Sequence, residues 1–313
     1  MFNDKIKVLY AAAEASPFCK TGGLGDVAGS FPRALVSEHI DERVIMPLYS
    51  SIDTKYRKNM EKVVDFTVPL SWRNEYCGVY KLVHNGVMFY FLDNEYYFKR
   101  DGLYGFFDDG ERMAFYAKAL LETIMHIDFK PQILHANDWH AALSIVYLRE
   151  MYNHLPEYKD IKTIFTIHNI KFQGMYNAFV LDDITGLSTH PDAKRQLMQG
   201  DSVNFMRGAC NYADIITTVS PTYAKEISTP EGGEGLDGLV RANSEKLFGI
   251  LNGIDTEINN PKTDPSIEYK FDINDFTAVK AKNKEALQRE LGLPVDSNVF
   301  MIGIVSRLTD QKG

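Results

Sequence analysis

Short apolar runs rich in β-branched residues alternate along the chain with longer segments in which apolar residues recur every three to four positions. The pattern predicts strands at 5–15, 43–49, 132–136, 162–168, 214–220 and 246–255, and helices at 26–38, 110–128, 138–152, 202–213 and 221–227. Such alternation is typical of an α/β protein with a doubly wound, mostly parallel sheet. Ligands bind such sheets at the carboxyl ends of the strands.

Two stretches depart from this alternation. Residues 62–93 predict meandering strands, with Asn85-Gly86 as a hairpin turn. Residues 253–275 are polar and contain two prolines, which is typical of an interdomain crossing. We therefore predict an N-terminal domain over 1–252 and the start of a second domain over 276–313, with a helix at 276–292 and a strand at 298–306. A second domain that short would not be self-sufficient, so we expect the chain to be a piece of something longer.

Composition narrows the function classes. The 313 residues carry a net charge of −8, which argues against nucleic-acid or anionic-membrane binding. The cysteines are Cys19, Cys77 and Cys210; their odd number and wide spacing favour a reducing cytoplasm over a disulfide framework or a zinc site. No apolar run approaches the roughly 18 residues that a membrane span requires.

A glycine-rich loop, KTGGLGD, follows the first strand at 20–26, and its lysine precedes the glycines. GLGDVA at 23–28 matches the dinucleotide fingerprint, but no acid that could hold a ribose follows the second strand before Asp53. The backbone N–H groups from Gly22 to Gly25 would favour an anion, because they lie at a helix N-terminus. The alternative is that the glycines only let strand and helix pack closely, which leaves Lys20 unexplained.

Two later strand ends carry polar and aromatic side chains. They are Asp138, Trp139 and His140 in HANDWH, and His168 and Asn169 in TIHNIKFQG. Aromatic faces beside a carboxylate and an imidazole suit a sugar ring. For Asp138 a helix cap is an equally good interpretation, and a single buried histidine is more often structural. Because the strand ends share one edge, we expect Lys20, Asp138 and His168 to converge on one ligand.

The segment SRLTDQKG at 306–313 places Arg307 and Lys312 in one strand-end loop. Two cations there suit a diphosphate, although two solvated surface charges are the simpler interpretation. The sequence contains no D-x-D, no phosphate-loop motif, no G-x-S-x-G and no H-E-x-x-H. We therefore expect no metal and no cofactor, and side-chain cations must offset the charge of any diphosphate.

Six segments taken together resemble a known family. They are KTGGLGDV, HANDWH, TIHNIKFQG, TTVSPTYAKEI, GILNGID and VSRLTDQKG. In their order and spacing they resemble the ADP-glucose-dependent glycogen and starch synthases, and bacterial glycogen synthases most closely, over essentially the whole chain. The resemblance implies the GT-B architecture, with two Rossmann-like domains facing each other across a cleft. It makes 1–252 the catalytic domain on the glucan-acceptor side and 276–313 the start of the nucleotide-binding domain.

The resemblance also implies an activity. Such enzymes are retaining glycosyltransferases that transfer glucose from ADP-glucose to the non-reducing end of an α-1,4-glucan, in glycogen biosynthesis and without a metal. ADP-glucose and glycogen are then the expected partners, with no nucleic acid and no membrane. Because the family continues through most of a second domain, we expect the chain alone to be inactive or nearly so. The alternatives are a GT-B enzyme that uses UDP-glucose, a glucan-binding fragment without turnover and, more distantly, a nicotinamide oxidoreductase.

The resemblance also implies roles for individual residues. The catalytic set is Lys20, Asp138, His168, Arg307 and Lys312. The substrate-binding set is Gly22, Gly23, Asp26, Tyr97, Trp139, His140, Asn169, Gln173 and Asn252. Lys20 would contact the sugar nucleotide, and Arg307 with Lys312 would neutralise the departing diphosphate. Tyr97, in NEYYF, would stack on sugar, with its register left open because Tyr96 adjoins it.

Overall fold

The computed structural model describes residues 5–37, 39–306 and 308. Strands and helices alternate through the first of two units, Met1–Gly253 and Ile254–Gly313. The boundary lies beside residue 252, where the sequence places the end of the first domain. The functional roles assigned to the two domains stay predictions.

The strands carry the predicted parallel sheet. In the described residues they are β1 (Ile6–Ala11), β2 (Ile40–Pro47), β3 (Glu61–Leu70), β4 (Arg73–His84), β5 (Val87–Asp93), β6 (Ile133–Asn137), β7 (Lys162–Ile167), β8 (Met175–Asn177), β9 (Met198–Gln199), β10 (Ser202–Asn204), β11 (Ile215–Thr218) and β12 (Leu247–Gly249). One sheet has the order β12-β11-β7-β6-β1-β2-β5-β4-β3, and a small antiparallel sheet has the order β8-β10-β9. Neighbours from β12 to β5 are parallel, whereas β4 and β3 continue the sheet antiparallel. This confirms the doubly wound fold class.

Helices connect these strands. In the described residues the α-helices are α1 (Gly23–Leu35), α2 (Thr54–Arg57), α3 (Glu95–Phe98), α4 (Asp109–Ile124), α5 (Asp138–Tyr147), α6 (Val180–Asp183), α7 (Pro191–Leu197), α8 (Phe205–Tyr212), α9 (Pro221–Glu226), α10 (Asp237–Ala242) and α11 (Phe276–Glu290). A π-helical turn, Leu148–Tyr152, continues α5, and a 3₁₀ turn, Ser244–Lys246, precedes β12. Among the described residues, no helix is both long enough and apolar enough to cross a membrane.

Helix α5 is buried along its whole length. Its sequence is almost entirely apolar after the first turn, and a helix that is apolar on all sides belongs in a core. It packs against α4, α8 and the sheet. On α4, the Tyr116 hydroxyl lies 2.8 Å from the Ile45 carbonyl oxygen and 3.1 Å from that of Ala12. Packed helices therefore hold the carboxyl ends of the central strands in place.

Several boundaries differ from the sequence prediction. The helix predicted at 202–213 is preceded by β10, because the Asn204 side chain accepts the Arg207 N–H at 2.9 Å and starts α8 there. Asn85 and Gly86 form the predicted turn, with φ of 50° and 80°. The strand predicted at 298–306 is wrong, since the described residues there form no ladder. A β-rich run needs a neighbouring strand to supply its hydrogen bonds.

One buried carboxylate in the sheet has no hydrogen-bond partner. Glu42 on β2 is 1% exposed, and neither of its carboxylate oxygens bonds to any described residue. Burial raises the pKa of Glu42 from 4.5 to about 8. The folded protein therefore holds this proton more tightly than the unfolded chain does.

We predict that Glu42→Met stabilises the fold in a pH-dependent way. The stability associated with protonated Glu42 is complete below the unfolded pKa of 4.5 and is lost as pH rises towards the folded value of about 8. At about pH 8 the variant should gain about 1–3 kcal/mol in unfolding free energy over the wild type, with much less gain at about pH 5. Urea denaturation at both pH values measures this. Glu42→Gln, which removes the charge but keeps a polar end, should gain less; an equal gain at both pH values would contradict the prediction.

Candidate functional site

The glycine-rich loop is organised around a carboxylate from the same chain. Oε2 of Glu14 accepts the Thr21 N–H at 2.6 Å and its hydroxyl at 2.8 Å, and Oε1 accepts the Gly25 N–H at 3.1 Å. Burial raises the pKa of Glu14, and these hydrogen bonds oppose the rise. The sequence predicts an anion at this loop, and Glu14 already supplies one. The helix N-terminus and its loop are therefore partly neutralised before any ligand arrives.

The glycines of the loop and of the helix that follows it divide into two kinds. A Cβ at Gly25 would lie 2.4 Å from the Lys20 Cβ, and a Cβ at Gly29 would lie 2.4 Å from the Ser16 carbonyl oxygen. These two glycines are required by close packing within the protein. At Gly22 and Gly23 an added Cβ would meet nothing within 4 Å. Internal packing therefore explains Gly25 and Gly29 but not Gly22 and Gly23.

Lys20 is paired at the surface. Its ammonium lies 2.7 Å from Oδ1 of Asp26, in the first turn of α1, and both side chains are more than half exposed. An exposed pair of this kind contributes at most about 1 kcal/mol. Replacing Asp26 by another anion as the partner of Lys20 would therefore cost little free energy.

Asp138 joins two strand ends. It begins α5 with a positive φ of 54°, and its side chain turns away from that helix. Oδ1 accepts the His168 N–H at 2.8 Å and the Asn169 N–H at 3.3 Å. Burial raises the pKa of Asp138 to about 7, against the effect of these two bonds. The side chain therefore does not cap α5; it ties the β6–α5 junction to the loop after β7.

His168 is held in a defined state by Asn137. The Asn137 amide nitrogen donates to the carbonyls of Ala11 and His135, both at 3.2 Å, which leaves Oδ1 facing His168 Nε2 at 3.0 Å. Burial lowers the pKa of His168 to about 4. The imidazole is therefore neutral at pH 7, and we assign its proton to Nε2. Nδ1 is left as a hydrogen-bond acceptor.

A second group of polar atoms lies behind this junction. The rings of Tyr104 and His140 are 4.2 Å apart, and burial lowers the pKa of His140 to about 3. The Tyr104 hydroxyl, the Tyr49 hydroxyl and Nδ1 of His140 are buried without a hydrogen-bond partner among the described residues. Buried polar atoms normally have partners, so these three atoms are candidates for bonds to water or to a ligand.

The structure thus brings Lys20, Asp138 and His168 to one edge of the sheet. Their loops follow β1, β6 and β7, which are adjacent and parallel in the sheet. The sequence interpretation missed Glu14, Asn137, Tyr49 and Tyr104. Glu14 and Asn137 were detectable as polar residues at strand ends, whereas Tyr49 and Tyr104 lie in segments without a recognisable motif.

Other predicted residues lie elsewhere. Tyr97 is fully buried, and its hydroxyl donates to Glu111 at 2.6 Å. The Gln173 amide donates to two backbone carbonyls and accepts from Asn204. Trp139 is also buried, and a Cβ at Gly174 would approach its ring to 2.6 Å. Substrate contacts for these three residues stay predictions that this geometry does not favour.

The remaining predicted residues are more open or fall outside the description. Oδ1 of Asn169 accepts the Lys171 N–H at 3.1 Å, and Asn252 is exposed after β12. Arg307 and Lys312 lie outside the described residues. Within the described ranges, no cluster of three or more His, Cys, Asp or Glu side chains could hold a metal ion.

Known proteins are similar to this chain in sequence and fold. The profile of the starch synthase catalytic domain matches residues 7–242. The chain is 51% identical to glycogen synthases of Clostridium novyi (strain NT) and Desulforamulus reducens, and each match covers 98% of this chain and 64% of the relative. The chain therefore spans about 64% of the length of these relatives. The catalytic domain of starch synthase IV from Arabidopsis thaliana, solved with ADP and acarbose, matches at 32% identity and a TM-score of 0.85, over 93% of this chain and 60% of that one.

We predict that Asp138→Ala and Asp138→Asn differ sharply in stability. Alanine leaves two N–H groups without an acceptor and disfavours the φ of 54°. It should lower the unfolding free energy by about 2–4 kcal/mol. Asparagine keeps an Oδ1 acceptor and tolerates a positive φ, so its cost should stay below about 1 kcal/mol. Urea denaturation measures both, and equal losses would contradict the bridging role of Oδ1.

Proposed function

Because the chain belongs to the starch synthase catalytic domain family, we propose that it provides the acceptor-side domain of an enzyme that transfers glucose to an α-1,4-glucan. The observation that carries this proposal is the junction at which Asp138 binds the backbone of His168 and Asn169. It ties two strand-end loops, those after β6 and β7, together at one edge, as a site for a polyhydroxylated ligand requires. The relatives named glycogen synthase support the same activity.

The side chains at the edge suit a sugar rather than a cation. His168 is neutral and offers Nδ1 as an acceptor, while the buried hydroxyls of Tyr49 and Tyr104 offer both donors and acceptors. Sugar hydroxyls need partners of both kinds. A sugar bound there would satisfy polar atoms that otherwise stay unpaired, which favours binding.

We assign ADP-glucose as the donor and retention of the anomeric configuration as the outcome. Support for the nucleotide comes from the starch synthase IV structure, which was solved with ADP and acarbose. Lys20 is exposed in the glycine-rich loop, where a phosphate oxygen of the donor would replace Asp26 as its partner. Arg307 and Lys312, from the second domain, would add positive charge as the diphosphate leaves.

The reaction we propose is a front-face displacement. The acceptor hydroxyl attacks the anomeric carbon from the side on which ADP departs, and a leaving phosphate oxygen takes the hydroxyl proton. The bond between the anomeric carbon and the phosphate oxygen breaks as the new glycosidic bond forms. The backbone carbonyl of His168 would stabilise positive charge on the sugar, because the Asp138 bond to the same residue fixes its orientation.

Glucose transfer tests the proposal directly. A form of the protein that spans the length of its curated relatives is incubated with radiolabelled ADP-glucose or UDP-glucose and a maltooligosaccharide. We expect label in longer oligosaccharides from ADP-glucose, released again by an exo-acting α-1,4-glucosidase. Transfer from UDP-glucose alone would overturn the donor assignment. Binding of the oligosaccharide without transfer from either donor would favour a glucan-binding protein.

We predict that Lys20→Ala lowers kcat/KM for ADP-glucose at least about tenfold, or about 1.4 kcal/mol, because the donor phosphates lose a cation. Lys62→Ala is the matched control, since Lys62 forms an exposed ion pair with Asp65 at the same distance of 2.7 Å. Steady-state kinetics on both variants measure the difference. An unchanged kcat/KM for Lys20→Ala would remove Lys20 from the site.

We also predict that the two kinds of glycine separate ligand binding from folding. Gly22→Ala meets no atom within 4 Å, so it should leave the melting temperature unchanged and weaken donor binding about tenfold or more, by blocking close approach of the sugar diphosphate. Gly25→Ala drives a methyl group into Lys20 and should lower the melting temperature. Calorimetric titration with ADP-glucose and thermal unfolding measure the two effects. Full donor affinity in Gly22→Ala would contradict the proposed approach.

A further inference from the structure

A buried lysine on helix α4 has an unusual hydrogen-bond partner. Lys118 is 8% exposed, and its ammonium nitrogen lies 3.6 Å from Sδ of Met151. The same nitrogen lies 5.5 Å from the ring centroid of Tyr147. Lysine is almost never buried without a paired group. Among the described residues, however, this ammonium donates to no carboxylate or carbonyl oxygen, and the thioether that it does contact is a weak acceptor.

A nearby carboxylate compensates the lysine only in part. Burial lowers the pKa of Lys118, and the charge of Glu122, one turn further along α4, opposes this effect. The Glu122 carboxylate is itself engaged, because it accepts the hydroxyl of Tyr152. An ammonium group has three N–H donors. Lys118 therefore keeps donors for which the described part of the chain supplies no oxygen.

Met151 is held opposite this lysine by a π-helical turn. The turn spans Leu148–Tyr152 and continues α5 at the end opposite to the catalytic edge. It is anchored to the sheet, since Nη2 of Arg149 lies 2.7 Å from Oδ2 of Asp214. π-Helical turns are rare and are found frequently at functional sites. The position of the Met151 sulfur beside Lys118 is therefore fixed by the fold.

Met151 is also accessible. It is partly buried and packs against the core with one side, so solvent and a small hydroperoxide reach the rest of the side chain. Oxidation to the sulfoxide makes a methionine polar and usually disrupts the packing of a core. Here the new oxygen would form beside an ammonium that has N–H groups to donate. The usual cost of a partly buried sulfoxide is therefore offset at this position.

We propose that Met151 is a site of reversible oxidation to methionine sulfoxide, and that Lys118 binds the sulfoxide oxygen. A lone pair of the sulfur attacks the terminal oxygen of a hydroperoxide, the O–O bond breaks, and an S–O bond forms. The other oxygen takes the proton of the attacked oxygen and leaves as water or an alcohol. The sulfur is oxidised by two electrons and the peroxide is reduced. A methionine sulfoxide reductase reverses the step, with two thiols becoming a disulfide and the oxygen leaving as water.

A purely structural role for Lys118 is the alternative. Lysine stems often cover apolar surface while the ammonium stays in water. An ammonium that served only such packing would gain nothing from an oxygen atom on residue 151. The two interpretations therefore differ in how the fold responds when that residue becomes polar. Neither depends on the proposed function, because glucose transfer does not enter the comparison.

A double-mutant cycle tests the contact without an oxidant. Met151→Gln places a carbonyl oxygen near the position of the sulfoxide oxygen. We expect its melting temperature to stay within about 1 °C of the wild type or to rise, whereas Lys118→Leu/Met151→Gln should melt at least about 2 °C below Lys118→Leu. Equal losses from Met151→Gln with and without Lys118 overturn the proposal.

Met198→Gln is the matched control for this cycle. Met198 is also partly buried against the core, and within the described ranges its sulfur has no hydrogen-bond partner. An amide there has no ammonium to meet, so the variant should melt at least about 2 °C below the wild type. A Met198→Gln variant as stable as Met151→Gln, in the presence of Lys118, would show that the lysine is not needed and would overturn the proposal.

Hydrogen peroxide tests the modification itself. After treatment of the whole protein, peptide mass spectrometry should find sulfoxide at Met151, and methionine sulfoxide reductase with dithiothreitol should remove it. Met125, which is 44% exposed, reports that the treatment was sufficient. Each melting temperature is corrected for the other methionines with the Met151→Leu counterpart of the same protein. Oxidation should then shift the wild type by less than about 1 °C and lower Lys118→Leu by at least about 2 °C. Absence of sulfoxide at Met151 once Met125 is fully oxidised overturns the proposal, as do equal shifts in the two proteins.

Discussion

The site depends on one buried carboxylate that is shared between two strand ends. Asp138 belongs to the β6–α5 junction, yet its Oδ1 accepts N–H groups from the loop after β7. One side chain thus accepts from two partly buried backbone N–H groups that would otherwise lack a protein partner. Because α5 is enclosed on all sides, its first residue cannot shift without disturbing the core. The packing of α5 therefore determines the position of His168.

The same principle applies at the glycine-rich loop. The Glu14 carboxylate accepts the backbone N–H groups of the loop, which would bind an anionic ligand in a simpler phosphate loop. Its negative charge also lies close enough to Asp138 to raise that residue's pKa further. The buried part of this edge therefore carries two carboxylates, whereas its cation, Lys20, is exposed. A negatively charged ligand at this edge would need positive charge, which within the loop comes from Lys20 alone.

Periodic features were predictable from the sequence, and irregular features were not. Strand–helix alternation located the parallel sheet and the convergence of the loops after β1, β6 and β7, because period and strand direction decide both. The choice between Tyr96 and Tyr97 was not predictable, since a short helical turn after β5 sets which ring faces inward. Glu14 was visible as a polar residue near a strand end, but its role was not predictable, because its partners lie in a loop and form no motif with it. The prediction of a strand at 298–306 failed for a related reason: a β-rich run forms a strand only where it has a pairing partner.

The polar groups at this edge fall into two classes, which differ in the free energy that moving them would cost. Glu14 and Asp138 are buried and the neutral His168 is partly buried, and moving any of them would leave a polar group unpaired. Lys20 and Asp26 are exposed, and separating them costs at most about 1 kcal/mol. Rearrangement on ligand binding should therefore be confined to the exposed pair, while the buried framework keeps its geometry. Under the proposed function, a fixed buried framework beside one exchangeable cation suits a donor whose charged part leaves at every turnover.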